Sequence, residues 1–576
     1  MIHGRILREA ATFRRQPLRH DDGVNQVSVA LATRTALVRR SARIISPYNT
    51  LEYQPWFPMF RLVLIAAMAM IVVYATTLTT MGGTSLLKIA AIPIGVILGV
   101  VIWLLPDADE HAPPTTADPP YIALLVAFVA GIIVWPSYIA IVIPGLPWLT
   151  PPRLILAGMI AMMLIHYPQH RHSRGTLIEV MSHDRIAISL FMLYEALNIL
   201  VLPLAPKISD TLSYLVLQEV MNLSAVVMAG VLLTKPRNIR IIYAGIVVTA
   251  IYAMLVCILE NDMQIPPWAD YIPSFMQIDQ SFLSRILSPQ ARIGDNRYRI
   301  RSTFPVVLYF TQYLSLVLPL VLYAAWRMRG RYRILGIALV PLVLHTVWYA
   351  NARTAISALL IPLFVFAALS LLRSLRQGRN SDALRTGIRA AVIMLLVGML
   401  GGVLATSHRA QMYTFGGKQH AGSNDARDRQ WANAWKQLAK NPIGIGAGNS
   451  VARVGIAVKG RDNLIVDSLY INLLVDVGYL GFFAFFGLFI RCAWLGITCF
   501  MRAVNEIEEQ AGAAAIGLIS YVTTCSVVST TDSGYLSFLL CGLIVATKRL
   551  QDQRIAEESR QRGLPAPTGA LAVRRG

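Results

Sequence analysis

Charged residues are scarce in this chain: they make up 14% of its 576 residues, whereas hydrophobic residues make up 55%. A soluble domain carries about 25% charged residues, so this composition excludes a soluble globular enzyme. The apolar residues are grouped in segments of about 17–25 residues, the length that crosses the hydrocarbon core of a bilayer. The sequence therefore predicts a protein that crosses a membrane many times.

Cysteine is also rare, and metal-ligand patterns are missing. The five cysteines show neither the spacing of a zinc site nor a disulfide framework. They lie in or next to apolar segments, where cysteine behaves as a small buried hydrophobic residue. No Asp-X-Asp pair or histidine cluster occurs in the segments that we assign to the outer face. We therefore expect no metal site and no cofactor.

The N-terminal region has no apolar core that would indicate a cleavable signal peptide. Residues 1–59 are polar and rich in arginine, and we predict that they form a basic cytoplasmic tail. The net charge of +21 would suggest nucleic acid binding in a soluble protein. In a membrane protein, however, Lys and Arg gather in cytoplasmic loops and face anionic lipid. Membrane lipid, and not nucleic acid, is therefore the expected partner.

The distribution of apolar segments predicts an all-α, polytopic transmembrane helix bundle of about fourteen spans. The spans are expected at 60–80, 84–105, 121–143, 150–166, 186–205, 211–234, 241–258, 306–326, 334–351, 354–372, 390–406, 478–500, 511–530 and 534–547. Every short basic loop falls on one side, so both termini are predicted to be cytoplasmic. No internal repeat is visible, so an inverted-repeat transporter gains no support.

These spans divide the chain into regions. After the tail come N-terminal transmembrane helices, an extracytoplasmic loop, central transmembrane helices, a large and partly helical extracytoplasmic catalytic loop, C-terminal transmembrane helices and a second cytoplasmic tail. The transmembrane regions are expected at 60–258, 306–406 and 466–547. The extracytoplasmic loops are expected at 259–305 and, for the catalytic loop, at 407–465, and the second tail at 548–576. Both long loops are basic although they lie outside, which the positive-inside rule does not explain. Their charge indicates either an anionic substrate or a solvated surface balanced by acidic residues.

The larger loop has internal order. Trp431, Trp435 and Leu438 repeat at helical spacing, which predicts an amphipathic helix. The following run, GIGAG, centres on Gly446 and could cradle a phosphate with its amides or form only a turn. Asp467 lies where the chain re-enters the membrane, and an ionisable residue there is a functional candidate; the alternative is a helix N-cap. A second carboxylate, Asp476, follows on the same apolar stretch.

The pattern R…W…NPIGIGAGN…VDSLYINLLVDVGYLG resembles the signature of the O-antigen ligase/polymerase superfamily. Upstream, RIRSTFPVVLYFTQYLSLVLPL (299–320) is similar to the arginine-containing entry into a helix of that family. WYANARTAISALLIPL (348–363) is similar to its Ser-Arg-Gly-like turn before the next helix. The resemblance covers residues 290–500. It implies a metal-independent membrane glycosyltransferase that uses undecaprenyl-diphosphate-linked oligosaccharides on the periplasmic face of the bacterial inner membrane. Ligases of the family typically carry a histidine where this chain has Asp467, which favours a polymerase.

The expected reaction determines which residues are candidates. Arginine is always protonated and binds phosphate oxygens in a bidentate manner, and it can stabilise the charge that develops on a diphosphate leaving group. The predicted catalytic residues are Asp467, as general base, Arg353 and Arg429. Predicted contacts to the diphosphate or the sugars are Arg301, Arg409, Arg427, His408, Trp431, Tyr470 and Gly446. His408 and His420 are alternative bases, and Arg427 is a close alternative to Arg429.

Several functions stay open at this stage. The first is polymerisation of repeat units into exopolysaccharide, capsule or O-antigen, next to a chain-length regulator and a flippase of the same pathway. The second is ligation of a glycan to an acceptor lipid. The third is a lipid-linked oligosaccharide flippase or other transporter, and the fourth a non-enzymatic membrane component. The long basic loop 407–465 argues against the flippase, which needs only short loops.

Overall fold

The computed structural model describes residues 118–142, 149–166, 182–276, 295–377, 421–457, 464–529 and 533–562, with isolated shorter stretches between 56 and 101, at 179–180, between 283 and 292, and between 387 and 406. The described residues are mostly helical. The α-helices are α1 (Asp118–Val134), α2 (Pro151–His166), α3 (Arg185–Leu200), α4 (Ile208–Leu232), α5 (Pro236–Met263), α6 (Val307–Arg327), α7 (Arg333–Tyr349), α8 (Arg353–Gln377), α9 (Ala421–Lys440), α10 (Ser450–Val454), α11 (Leu469–Met501), α12 (Glu506–Thr524) and α13 (Gly534–Gln561).

Short strands and turns connect some of these helices. Two antiparallel pairs join β1 (Ala291–Arg292) to β2 (Asp295–Tyr298) and β3 (Ile456–Ala457) to β4 (Leu464–Ile465). The 3-10 turns cover Leu202–Leu204, Ala269–Tyr271, Ser274–Met276 and Gly330–Tyr332. Both strand pairs lie in the segments that the sequence assigns to long polar loops, so those loops contain local order within their described parts.

Six helices of the described residues are long and apolar enough to cross a membrane. They are Arg185–Leu204, Pro236–Met263, Val307–Arg327, Gly330–Tyr349, Arg353–Arg376 and Leu469–Met501. The protein is thus a multi-pass helical membrane protein. The predicted spans 60–80, 84–105 and 390–406 fall mostly outside the described residues.

The other predicted spans each overlap a helix, with three clear differences in extent. The span expected at 121–143 is helical only to Val134, and beyond it Ala140 and Ile141 donate their amides to the carbonyls of Met276 and Leu149. α11 was expected to begin at residue 478 but begins at Leu469, because a helical segment precedes a kink at Gly478. α13 was expected to end at residue 547 but continues to Gln561. Its polar second half is held by ion pairs to neighbouring helices and does not depend on an apolar environment.

The centre of the bundle is formed by α6, α11, α12 and α13. Small side chains on α12, from Ala511 to Ala515, are fully buried and let the neighbouring helix backbones approach closely. Large rings fill the remaining space: Phe489 contacts Tyr521 and Phe538 at ring centroid distances of 5.6 and 5.4 Å, both in edge-on arrangements. This packing fixes the helix ends relative to one another.

At one end of the bundle, which we call the Glu508 end, charged side chains pair across helices. Glu508 of α12 is buried and accepts hydrogen bonds from Arg554 of α13 at 3.1 and 3.2 Å. Glu509 pairs with Arg373 of α8 at 3.0 Å. Both of these carboxylates therefore have a cationic partner on another helix, which ties the bundle together.

At the opposite end, which we call the Asp467 end, polar contacts join the starts of α6, α8 and α11 to the end of α12. The hydroxyls of Thr311 and Thr354 lie 2.6 Å apart. The side-chain amide of Gln312 donates to the sulfur of Cys525 at 3.5 Å, and the amide of Leu469 donates to the Cys525 carbonyl at 3.0 Å. The residues that precede α8 and α11 are thus held on the same side of the bundle.

Candidate functional site

Asp467 lies between β4 and the start of α11. Its side chain is half-buried, and its carboxylate forms no hydrogen bond or ion pair with any residue that the structure describes. The N-cap position of α11 belongs to Ser468, whose side chain makes no capping bond, so Asp467 is not the cap of this helix. An acceptor-only group that is half-buried and has no described donor is available to take a proton from a substrate.

Helix α9 packs one face against the segment that carries Asp467. Gln430 is buried, donates to the carbonyl of Ile465 at 3.0 Å and accepts from the amide of Asp467 at 3.2 Å. Ala434 and Leu438 are buried on the same face. Gln430 therefore fixes the distance between α9 and the candidate base.

The two arginines of α9 lie on different faces. Arg427 precedes Gln430 by about one helical turn, is half-buried, and its Nε has no hydrogen-bond acceptor among the described residues. Arg429 is exposed, and its Nε donates to the carbonyl of Asp425 in its own helix at 3.2 Å. Because two residues correspond to about 200° of helical rotation, only Arg427 shares the packed face.

The aromatic candidates also differ in environment. Trp431 is half-buried next to Ala434 and stacks on Trp435, with ring centroids 5.8 Å apart. Trp435 is half exposed, so this pair could offer a ring face to a sugar. The Tyr470 hydroxyl instead donates to the carbonyl of Val522 at 2.8 Å, and its ring packs within the bundle.

The glycine-rich run forms a loop that binds a carboxylate of the protein itself. The side chain of Asp476 accepts from the amides of Gly448, Asn449 and Ser450 at 2.9, 3.1 and 2.7 Å, and from the Ser450 hydroxyl at 3.2 Å. Gly446 donates its amide to the Asp476 carbonyl at 3.0 Å. Successive amides of this kind could hold a phosphate, but here Asp476 occupies them.

Gly478 explains how this loop approaches α11 so closely. It adopts φ +70°, in the region that favours glycine, and breaks the regular helix. A Cβ at this position would overlap the backbone of Pro442 and Ile443. The sequence analysis did not predict that Asp476 binds the amides of the glycine-rich loop. An ionisable residue in an apolar stretch nevertheless indicates a specific role, and Asp476 could have been selected on that ground.

Arg301 lies in the segment between β2 and α6 and is fully buried. Its Nε is 3.7 Å from Oε1 of Glu260, and none of its guanidinium nitrogens has a hydrogen-bond acceptor among the described residues. Because the side chain has no exposed surface, Arg301 is not an interface anchor that extends towards water.

Arg353 begins α8, directly after the turn that ends α7, and is half-buried. This turn adjoins the Arg301 segment, since the amide of Ile300 donates to the carbonyl of Tyr349 at 3.3 Å. On the other side, Thr354 contacts α6. The structure therefore brings the segments that carry Arg301 and Arg353 together at the Asp467 end.

Three of the predicted residues cannot be placed. Arg409, His408 and the alternative base His420 lie outside the described residues. Within the described part of the chain, no group of three or more His, Cys, Asp or Glu side chains could hold a metal ion.

Residues 344–486 match the family model described as O-antigen ligase. We call these residues the O-antigen ligase domain, after the family to which they are similar. This domain runs from α7 into α11 and includes Arg353, Arg427, Arg429 and Asp467, whereas Arg301 precedes it. The predicted relationship to the O-antigen ligase/polymerase superfamily is thus confirmed. No curated protein matches the chain.

Proposed function

We propose that the protein is a metal-independent membrane glycosyltransferase that polymerises undecaprenyl-diphosphate-linked oligosaccharide repeat units. One observation carries this proposal. Within the O-antigen ligase domain, the Asp467 end combines a half-buried carboxylate that has no described partner with the half-buried arginines Arg353 and Arg427. The proposed site faces the periplasm, in an inner-membrane bundle of about fourteen spans with cytoplasmic termini.

The proposed reaction is a displacement at the anomeric carbon of the donor sugar. A hydroxyl oxygen of the acceptor forms the new glycosidic bond while the bond from the anomeric carbon to the phosphate oxygen breaks. Asp467 takes the hydroxyl proton, and the bonding electron pair leaves with the undecaprenyl diphosphate. A single displacement inverts the anomeric centre.

The arginines would act on the leaving group. Charge grows on the bridging phosphate oxygen in the transition state, and guanidinium groups already in place stabilise it without reorganisation. Arg353 and Arg427 lie in the family-matched domain, and Arg301 adjoins Arg353 through the Ile300–Tyr349 hydrogen bond. We assign the leaving-group role to these three, and we prefer Arg427 to Arg429 because Arg429 faces away from the packed side of α9.

The second candidate is a ligase that transfers the finished glycan to an acceptor lipid. The description of the matching family favours it directly. The polymerase is preferred because an acidic residue, Asp467, stands where ligases of the superfamily typically carry histidine. The flippase gains no support from the domain match. A chain-length regulator and a flippase of the same pathway are the expected partners of a polymerase.

The experiment that tests this function is a chromosomal deletion complemented with wild type, Asp467→Ala or the matched control Asp428→Ala, an exposed carboxylate of α9. Lipid-linked and exported glycans are then analysed by mass and size. If the protein is a polymerase, single lipid-linked repeat units should accumulate on the outer leaflet in the deletion strain and in the Asp467→Ala strain. Complete polymer on its lipid carrier would indicate the ligase, and single units on the inner leaflet would refute both.

A further inference from the structure

The guanidinium of Arg301 is buried and forms no hydrogen bond with a residue that the structure describes. It has no exposed surface, and Nε, Nη1 and Nη2 all lack an acceptor among the described residues. A buried charged group in this state is costly, and such groups in native structures call for an explanation. The nearest carboxylate, that of Glu260, is 3.7 Å away, which is an ion pair without a hydrogen bond.

Glu260 cannot supply the missing hydrogen bonds, because its oxygens are engaged by other donors. Oε1 accepts from the Tyr298 hydroxyl at 2.8 Å and from the Arg301 amide at 3.2 Å. Oε2 accepts from the Arg301 amide at 3.0 Å and from the Ser302 amide at 2.7 Å. The carboxylate thus binds the backbone of the arginine segment and leaves the guanidinium donors unused.

The segment from Tyr298 to Thr303 is fixed on several sides. The Ser302 hydroxyl donates to the carbonyl of Ala253 on α5 at 2.8 Å, and the Thr303 hydroxyl donates to the carbonyl of Ile133 on α1 at 2.6 Å. Ser302 itself adopts φ +54°, which is unfavourable for a residue with a side chain. Such strain persists only where the surroundings over-determine the backbone, and it is typical of functional sites.

We infer that Glu260 is a positioning residue that holds the backbone of the Arg301 segment, so that the guanidinium keeps its donors for the phosphoryl oxygens of a lipid diphosphate. This inference rests on the proposed function and adds a residue outside the O-antigen ligase domain. Glu260 also supplies the negative charge that lowers the cost of burying Arg301 before the ligand binds. Phosphoryl oxygens match the planar, forked donors of arginine better than a single neutral acceptor does.

The test uses the purified full-length protein with a lipid-diphosphate-linked repeat unit as donor and the same repeat unit without the lipid diphosphate as acceptor, so that the two KM values are measured separately. Glu260→Gln removes the charge and also places an amide donor against an existing donor, whichever oxygen it replaces. Arg301 would then no longer be held where its guanidinium forms charge-assisted hydrogen bonds to the phosphate. We therefore expect the donor KM to rise by about tenfold or more, while the acceptor KM stays within about twofold of wild type. Tyr298→Phe removes one hydrogen bond and no charge, and should show the same selective effect at smaller size.

The matched control is Glu508→Gln, which alters a buried carboxylate with an arginine partner at the opposite end of the bundle. It should lower thermal stability and leave the donor KM unchanged. If Glu260 acts through Arg301, the effects of Glu260→Gln and Arg301→Lys on the donor KM should be less than additive in the double variant.

The outcomes separate this inference from the proposed function. If wild type transfers sugar but Glu260→Gln and Tyr298→Phe behave like Glu508→Gln, Glu260 has only a structural role and the inference is wrong. If the effects of Glu260→Gln and Arg301→Lys add fully, Glu260 does not act through Arg301. If wild type neither transfers sugar nor binds undecaprenyl diphosphate in a direct binding assay, the proposed function and the inference are both refuted.

Discussion

The substitution Asp476→Asn should release the glycine-rich loop from α11. Each oxygen of the Asp476 carboxylate accepts two hydrogen bonds: Oδ1 from the amides of Asn449 and Ser450, and Oδ2 from the Gly448 amide and the Ser450 hydroxyl. Asparagine keeps one acceptor oxygen and turns the other position into a donor. If the amide nitrogen takes the Oδ1 position, both backbone bonds there are lost. If it takes the Oδ2 position, the Gly448 bond is lost, while the Ser450 hydroxyl can accept from the amide. At least one bond is therefore lost whichever way the amide is oriented.

The size of the effect follows from these contacts. A hydrogen bond to a charged group contributes about 1.5–3 kcal/mol, so the loss of at least one such bond should weaken the docking of the loop by that amount or more. This is comparable to the free energy of local opening in many proteins. The loop from Asn441 to Gly455 should therefore open far more often in the variant, and α9, which is joined to it, should lose its fixed position next to Asp467.

Limited proteolysis in detergent measures this opening directly. We expect cleavage within residues 441–455 to be at least about tenfold faster in Asp476→Asn than in wild type, with transfer activity reduced in parallel. Asp428→Asn is the charge-matched control, because Asp428 is exposed on α9, and it should leave both rates unchanged. If Asp476→Asn is cleaved as slowly as wild type, the carboxylate does not hold the loop and the reasoning is wrong.

Three further predictions concern the arginines of the proposed site and an ion pair at the Glu508 end of the bundle. Arg427→Ala should lower transfer by about 10²-fold or more, whereas Arg429→Ala should stay within about threefold of wild type in the same assay; equal losses would contradict the assignment by helix face. Arg353→Lys should recover little of the activity lost in Arg353→Ala, because lysine lacks the bidentate geometry. Burial raises the pKa of Asp184, but the hydrogen bonds from Arg491 and a backbone amide outweigh this and leave the pKa below its ordinary value. Its stabilising contribution is therefore present above the ordinary carboxyl pKa and disappears as the pH falls through the lowered one, so Asp184→Asn should reduce thermal stability at neutral pH and have little effect in strong acid.

Within the described residues, the positions of the long apolar helices could be predicted from the sequence because apolar segments of membrane-spanning length carry a strong signal. Where helix extents differ, tertiary contacts are the reason. The predicted start of α11 coincides with its kink at Gly478, where the chain lies against the backbone of Pro442 and Ile443. The helical segment from Leu469 that precedes the kink was not predicted. α13 is prolonged because Arg549 and Arg554 find carboxylate partners on other segments.

The candidate site was predictable only in part. The helical phase of α9 was already visible from Trp431 and Leu438, and Arg427 lies on that face by spacing alone, so the choice between Arg427 and Arg429 could have been made from the sequence. The pairing of Glu260 with the Arg301 segment could not, because it depends on how α5 packs against a distant loop. Likewise, the sequence of the glycine-rich run was compatible with a phosphate-binding loop. Only the structure shows that amides of this run donate to the carboxylate of Asp476.

The most direct test of the central claim is the transfer rate of the purified protein with a defined lipid-diphosphate-linked repeat unit as both donor and acceptor. Wild type should produce longer lipid-linked glycans, and Asp467→Asn should produce them at least about 10²-fold more slowly, the contribution typical of a general base, with folding and donor binding retained. The exposed-carboxylate control Asp428→Asn should match wild type. If Asp467→Asn elongates the glycan at the wild-type rate, Asp467 is not the base and the proposed site is in the wrong place.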